Sequence, residues 1–114
     1  MATYSKELFS ETTNGEAIDI SATNSPGTVV HNSVDNSGSL DEIWVWVSNR
    51  DATKSNIVVE FGGTAEGNRI VEEIDPYKTV LIIPGIPLIS GATVRIYSAS
   101  GNTTAFGYVN RRSP

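Results

Sequence analysis

The sequence predicts an all-β protein, a single antiparallel β-sandwich of about eight strands for which a jelly roll is one available arrangement. Two observations favour this fold class. Runs of alternating apolar and polar residues are separated by turn residues about every ten positions. No stretch keeps apolar residues three and four positions apart over two helical turns, so no helix is expected.

An extended N-terminal arm is predicted over residues 1–15, ahead of a β-sandwich domain over residues 16–114. The arm shows no regular period and ends at the turn sequence Asn14-Gly15. Its clear apolar side chains are Tyr4, Leu8 and Phe9. Such an arm packs either against its own domain or across a neighbouring subunit.

The rest of the chain is expected to form strands connected by turns. Alternation predicts strands over residues 17–22, 28–34, 42–48, 56–61, 69–75, 78–83, 92–98 and 104–110. Within residues 78–83 the run Val80-Leu81-Ile82-Ile83 is apolar on both faces, which predicts a central strand. Residues 84–88 contain two prolines, which lack the N–H that a ladder uses, so this strand is expected to end before them.

The run Ile43-Trp44-Val45-Trp46-Val47 is expected to organise the fold. Its β-branched and aromatic residues are typical of a strand, with Ile43, Val45 and Val47 on one face and Trp44 and Trp46 on the other. Both faces are apolar, so neither should face water alone. The tryptophans either lie under a second layer of this chain, contact another subunit, or stack on sugars about 7 Å apart.

Composition limits the classes of partner. The chain carries a formal net charge of −5 and no cysteine, which argues against nucleic-acid binding and excludes disulfides and thiolate metal sites. The first thirty residues hold no apolar run long enough for a signal peptide, and no segment is long and apolar enough to span a membrane. Synthesis in the cytoplasm and no membrane partner are therefore expected.

Candidate chemical groups are few, and each has a simpler structural interpretation. His31 is the only histidine, and no G-x-S-x-G motif accompanies it. Residues 35–42 are rich in oxygen ligands but do not fit the helical calcium-loop pattern. Four carboxylates on two strands resemble the paired groups of glycoside hydrolases, although such residues usually mark a hydrated face: Glu60, Glu72, Glu73 and Asp75. We expect no catalytic residue, cofactor or metal, and no enzyme activity.

Turn and strand patterns in the C-terminal half carry a resemblance. They are Phe61-Gly62-Gly63-Thr64, Ile83-Pro84-Gly85-Ile86-Pro87-Leu88, the segment from Gly91 through Val94-Arg95-Ile96-Tyr97, and Gly107-Tyr108-Val109-Asn110-Arg111. In these segments the chain resembles small β-rich proteins that tailed bacteriophages encode, often beside capsid genes. The first half resembles them loosely.

This resemblance implies a virion structural protein, made in the host cytoplasm and located on the capsid surface. Its expected function is that of a head decoration (cement) protein, which binds the major capsid protein and itself, as a homotrimer. The residues expected to contact these partners are Tyr4, Leu8, Phe9, Trp44, Trp46, Tyr108, Arg111 and Arg112. The alternatives are a tail- or fibre-associated module of the same virion, a carbohydrate-binding β-sandwich and a small hydrolase.

Overall fold

Two antiparallel β-sheets pack face to face in the computed structural model, which describes residues 2–114. The chain runs in the order β1 (Thr3–Glu7), β2 (Ile18–Asp19), β3 (Thr28–Asn32), β4 (Leu40–Asn49), β5 (Ser55–Phe61), β6 (Arg69–Ile74), β7 (Lys78–Leu88), β8 (Thr93–Ser98) and β9 (Thr103–Ser113). A 3₁₀ turn at Glu66–Asn68 precedes β6. The predicted fold class, an all-β sandwich, is confirmed.

The strands divide into a front sheet and a back sheet. The front sheet has the order β1-β9-β4-β7, with the short β2 also paired to β9, and the back sheet has the order β3-β8-β5-β6. From β2 to β5 each connection crosses from one sheet to the other, and so do those from β6 to β9. This alternation is consistent with the jelly-roll arrangement that the sequence left open.

Strand β4 lies between β9 and β7 at the centre of the front sheet. Its side chains alternate without exception between buried and partly exposed. Ile43, Val45 and Val47 are fully buried and pack in the core between the two sheets. Burying each of these side chains contributes about 1.5–3 kcal/mol to stability, so β4 is a main source of the sandwich's cohesion.

Strand β7 differs from the prediction in two ways. It is an edge strand that pairs with β4 alone, not a central strand, and it continues through Pro84 and Pro87 to Leu88. The ladder tolerates these prolines because an edge strand needs N–H groups on one side only. Two register shifts, which leave Ile82 and Gly85 without an opposite residue, also bend the strand there.

The N-terminal arm is part of its own domain. Strand β1 pairs in unbroken register with the last five positions of β9, which extends past its predicted end to Ser113. Phe9 is only 2% exposed and belongs to the core cluster. The expectation that Phe9 contacts a partner is therefore wrong, because its side chain is enclosed by the sandwich.

Candidate functional site

An aromatic face covers the outside of the front sheet. On this side Trp44 lies opposite Tyr108 of β9 and Pro84 of β7, and Trp46 lies opposite Phe106 of β9 and Leu81 of β7. Residues directly opposite each other in an antiparallel pair point to the same side of the sheet. These six residues therefore form two adjacent apolar rows that run across three strands, which we call the aromatic face.

Three rings of the aromatic face stack on one another. The Tyr108 ring centroid lies 6.2 Å from that of Trp44 and 6.3 Å from that of Trp46, with interplanar angles of 11° and 27°. The Lys6 ammonium lies 5.3 Å from the Tyr108 centroid. Aromatic pairs of this kind contribute about 0.5–1.5 kcal/mol each beyond area burial, so the rings hold one another in a defined arrangement.

The Trp44 indole is also held by the neighbouring edge strand. Gly85 has a φ of +81°, and a Cβ built there would lie 2.6 Å from Cζ2 of Trp44. The indole thus lies between the Tyr108 ring and the Gly85 backbone. Because sugar stacking needs a free ring face, this packing disfavours Trp44 as one half of a two-tryptophan sugar-binding platform.

The exposed members of the aromatic face include two residues that the sequence did not single out. Phe106 and Leu81 flank Trp46 and are 43% and 41% exposed. The alternation of Phe106 with Tyr108 on one strand was a usable signal. Leu81 gave none, because the register shifts in β7 decide which of its apolar residues face outward.

A polar rim borders the aromatic face beside β1. Tyr4 lies opposite Arg112, and Lys6 lies opposite Asn110, whose amide donates to Glu42 Oε1 over 2.9 Å. Lys6 and Arg112 place two positive charges at one end of the face of an acidic chain. Of the eight predicted contact residues, the structure brings together five on this side of the front sheet: Tyr4, Trp44, Trp46, Tyr108 and Arg112.

Two of the other predicted contact residues lie elsewhere. Leu8 follows the end of β1 and is about half exposed, with its Cδ2 close to Gly15. Arg111 points into the sandwich, where its Nε and Nη2 donate to the two oxygens of Asp41 over 2.7 and 3.1 Å. Arg111 therefore stabilises the fold and does not act as part of a solvated basic tail.

Asp41 is the centre of a buried polar cluster, and no exposed fraction remains on its side chain. Besides Arg111, it accepts hydrogen bonds from His31 Nε2 at 2.7 Å and from the Val34 N–H at 3.0 Å. Burial acts to raise the pKa of the Asp41 carboxyl, but the hydrogen bonds from Arg111 and His31 and the Arg111 charge outweigh it and lower the pKa.

His31 uses both of its ring nitrogens within this cluster. The Ser10 N–H donates to Nδ1 over 2.9 Å, which places the proton of the neutral ring on Nε2, facing Asp41. The side chain is 1% exposed and packs against the Phe9 ring. The cluster joins the N-terminal segment, β3, β4 and β9, and neither ring nitrogen is left to act on a ligand.

The carboxylates considered for hydrolysis do not converge. Strands β5 and β6 are neighbours, but Glu60 and Glu72 occupy positions on opposite faces of the back sheet. Glu60 is buried and accepts hydrogen bonds from Ser25 Oγ at 2.6 Å and from the Gly27 N–H at 2.7 Å. This carboxylate thus fastens the connection between β2 and β3 onto the back sheet.

A polar cleft of about 280 Å³ lies at one end of the sandwich, beside the loops that follow β4 and β8. Its charged groups pair with their neighbours: Lys54 lies 3.1 Å from Glu73, and Ser100 donates to Asp51 over 2.8 Å. Across residues 2–114, no group of three or more His, Asp or Glu side chains is placed to bind a metal ion. The same part of the chain has no helix with the length and apolarity needed to cross a bilayer.

Comparison with protein-family models, with curated proteins and with solved structures finds no match to this chain. The aromatic face is therefore interpreted from its own geometry and chemistry.

Proposed function

We propose that this chain is a non-enzymatic capsid decoration protein of a tailed bacteriophage, which binds the major capsid protein through the aromatic face and stabilises the head. The observation that carries the proposal is an ordered cluster of aromatic rings on the outer side of the front sheet. Its members hold one another in place, while Phe106 and Leu81 leave apolar surface open to water. An exposed apolar patch with a polar rim is typical of a protein interface.

The residue types of the aromatic face support a protein partner. Trp, Tyr, Phe and Arg are enriched in the centres of protein interfaces, where they bury large area with few rotatable bonds. Lys6 and Arg112 at the rim favour an acidic patch on the surface that is bound. Charges of this kind direct the encounter and fix its orientation more than they add affinity.

The size of the face indicates how it would work. Together with its polar rim, the aromatic face extends over four strands about 4.8 Å apart and four rows about 6.8 Å apart, a surface of roughly 500 Å². Stable protein pairs bury about 800 Å² on each partner, so one such contact is weak. A decoration protein overcomes this limit when linked copies bind several neighbouring capsid subunits at once, because multivalent attachment adds avidity.

Co-sedimentation with undecorated heads of the phage that encodes the chain tests the proposal. The double variant Phe106→Thr/Leu81→Thr keeps strand-forming residues while it removes the exposed apolar surface, and we expect its binding to weaken by about tenfold or more. Val71→Thr is the matched control, since Val71 is exposed on the back sheet. Unchanged binding of the double variant would contradict the proposal.

Two further measurements separate the alternatives. Labelling of intact particles distinguishes a position on the head from one on the tail or fibre. Glycan-array binding that disappears in Trp46→Ala would favour a carbohydrate-binding module instead. Deletion of residues 1–15 is unsuitable as a test because it removes Phe9 from the core.

A further inference from the structure

Strand β1 is the least protected edge of the sandwich. One side of it pairs with β9, and within residues 2–114 its other side pairs with no strand. The opposite edge of the front sheet, β7, carries two prolines and two register shifts. In the back sheet, edge strand β3 has a register shift, and edge strand β6 presents Glu72 and Glu73. Natural edge strands avoid pairing with other chains by such bulges, prolines and charges. Strand β1 has no register shift and no proline, and its two charged residues, Lys6 and Glu7, carry opposite signs.

We propose that two copies of this chain pair antiparallel through their β1 edges, about a two-fold axis at Ser5. In this register Tyr4 lies opposite Lys6 of the second copy, and Thr3 lies opposite Glu7 of the second copy. The same five-residue segment supplies both halves of the contact, as an isologous interface requires. The partner is therefore a second copy of this chain.

Complementarity selects this register. Tyr4 and Lys6 point to the outer side of the front sheet, so in this register each lysine side chain lies between the Tyr108 ring of its own copy and the Tyr4 ring of the other. A shift of the register by two residues in one direction places Tyr4 opposite Tyr4 of the second copy and shortens the ladder of paired residues. The same shift in the other direction sets Lys6 against Lys6, which like charge disfavours.

The side chains of β1 are available for this pairing. Its first four residues are exposed, and Tyr4 is 57% exposed. Attachment of β1 to its own domain rests on the backbone ladder with β9 and on the residues that follow it, since Phe9 is buried and Ser10 bonds to His31 and Asn32. Pairing at the free edge leaves all of these contacts in place.

The pairing has a consequence for the aromatic face. Opposite residues of an antiparallel pair share a side of the sheet, so both aromatic faces lie on the same side of one continuous sheet. With their polar rims, the two faces together cover about 1,000 Å², twice the roughly 500 Å² of a single copy and above the usual size of one partner's interface. The inference does not depend on head binding, because self-pairing is measured without a capsid.

Cysteine cross-linking tests the register directly, since the chain has no cysteine of its own. Opposite residues in such a ladder have Cα atoms about 5 Å apart, within the range for a disulfide. Ser5→Cys should therefore form a covalent dimer under mild oxidation about ten times faster than Thr3→Cys. In the Thr3→Cys variant the two cysteines of the dimer lie several residues apart along the ladder. Equal rates, or no cross-link in Ser5→Cys, would overturn the proposed pairing.

Solution mass gives the second test, by sedimentation equilibrium from low micromolar to near-millimolar concentration. We expect exchange between the 12.2 kDa chain and a dimer. Tyr4→Glu puts a carboxylate opposite Lys6 of the second copy and should favour the dimer, whereas Tyr4→Glu/Lys6→Glu opposes two carboxylates and should abolish it. A trimer, a monomer at every concentration, or a dimer indifferent to the double variant would refute the inference.

Discussion

The two faces of strand β4 differ in how far their side chains are buried within the chain. On the inner face, Asp41, Ile43 and Val45 are completely buried, and each has its partners within the chain. On the outer face, Trp44 and Trp46 stay partly exposed although they are the largest side chains of the strand. The fold accounts for the inner residues. We propose that the outer residues belong to a surface that a partner protein covers.

This difference predicts that substitutions on the two faces change different measured quantities. Inner substitutions should lower the free energy of unfolding. Outer substitutions should leave unfolding nearly unchanged and weaken attachment to heads. A variant on either face that lowered both the free energy of unfolding and the binding to heads to the same extent would argue against this difference between the faces.

The largest expected effect is that of Asp41→Asn on the inner face. Removal of one partner of a buried ion pair costs about 3–5 kcal/mol, because the remaining charge of Arg111 loses its compensation. Urea unfolding should show this loss as a lower midpoint. Glu42→Gln is the neighbouring control on the outer face, and we expect it to cost less than about 1 kcal/mol. Similar losses in both variants would argue against a special role of the buried cluster.

Val45→Ala should have the next largest effect. It leaves a cavity between the sheets at a position with no exposure, for which about 2 kcal/mol is expected. Thermal unfolding followed by circular dichroism measures the change, and head binding at a temperature where the variant is folded should equal that of the parent. Reduced binding by the fully folded variant would show that the inner face also shapes the contact.

Acid should reduce stability through the same cluster. The pKa of Asp41 is lower in the folded chain than its ordinary value of 3.8, so the carboxylate stabilises the fold above that pH. This contribution is lost as pH falls through the folded-state pKa. The difference in unfolding free energy between the parent and Asp41→Asn should therefore be large at neutral pH and should shrink as the pH falls below 3.8. A difference that stays the same at both pH values would contradict the assignment.

The smallest change in stability is expected for Leu81→Thr on the aromatic face. Leu81 lies on an edge strand and is 41% exposed, so its loss should cost less than about 1 kcal/mol of unfolding free energy. Head binding should nevertheless fall measurably in co-sedimentation. A loss of stability as large as that of Val45→Ala would mean that the residue serves the core.

The local sequence pattern predicted the strands and which of their side chains share a face. It did not predict features that depend on contacts between residues far apart in the sequence. The alternation around Trp44 was sufficient to assign both faces of β4, because strand geometry alone sets which side chains share a side. The continuation of β7 through Pro84 was missed, since it depends on the strand lying at an edge. The partner of Asp41 lies 70 residues away at Arg111, and no local spacing reports such a pair.

The N-terminal segment shows the same limit. Phe9 stands among polar residues, and its place in the core depends on β3 and β9 folding around it. From the sequence the segment resembled a free arm, which made Phe9 look available to a partner. Its true position follows from the tertiary arrangement, as does the gathering of Tyr4 and Arg112 beside the tryptophans.

The prolines of β7 have a consequence for assembly at high concentration. A sheet that grows by adding chains needs a free edge strand on both sides that can form backbone hydrogen bonds. In the front sheet one of these edges is β7, where Pro84 and Pro87 lack the N–H groups for such pairing. In the proposed dimer the two β1 edges pair with each other, so the joined front sheet has a β7 strand with its prolines at both edges. Growth therefore terminates at a pair, so concentrated solutions should stay free of fibrils that bind thioflavin T.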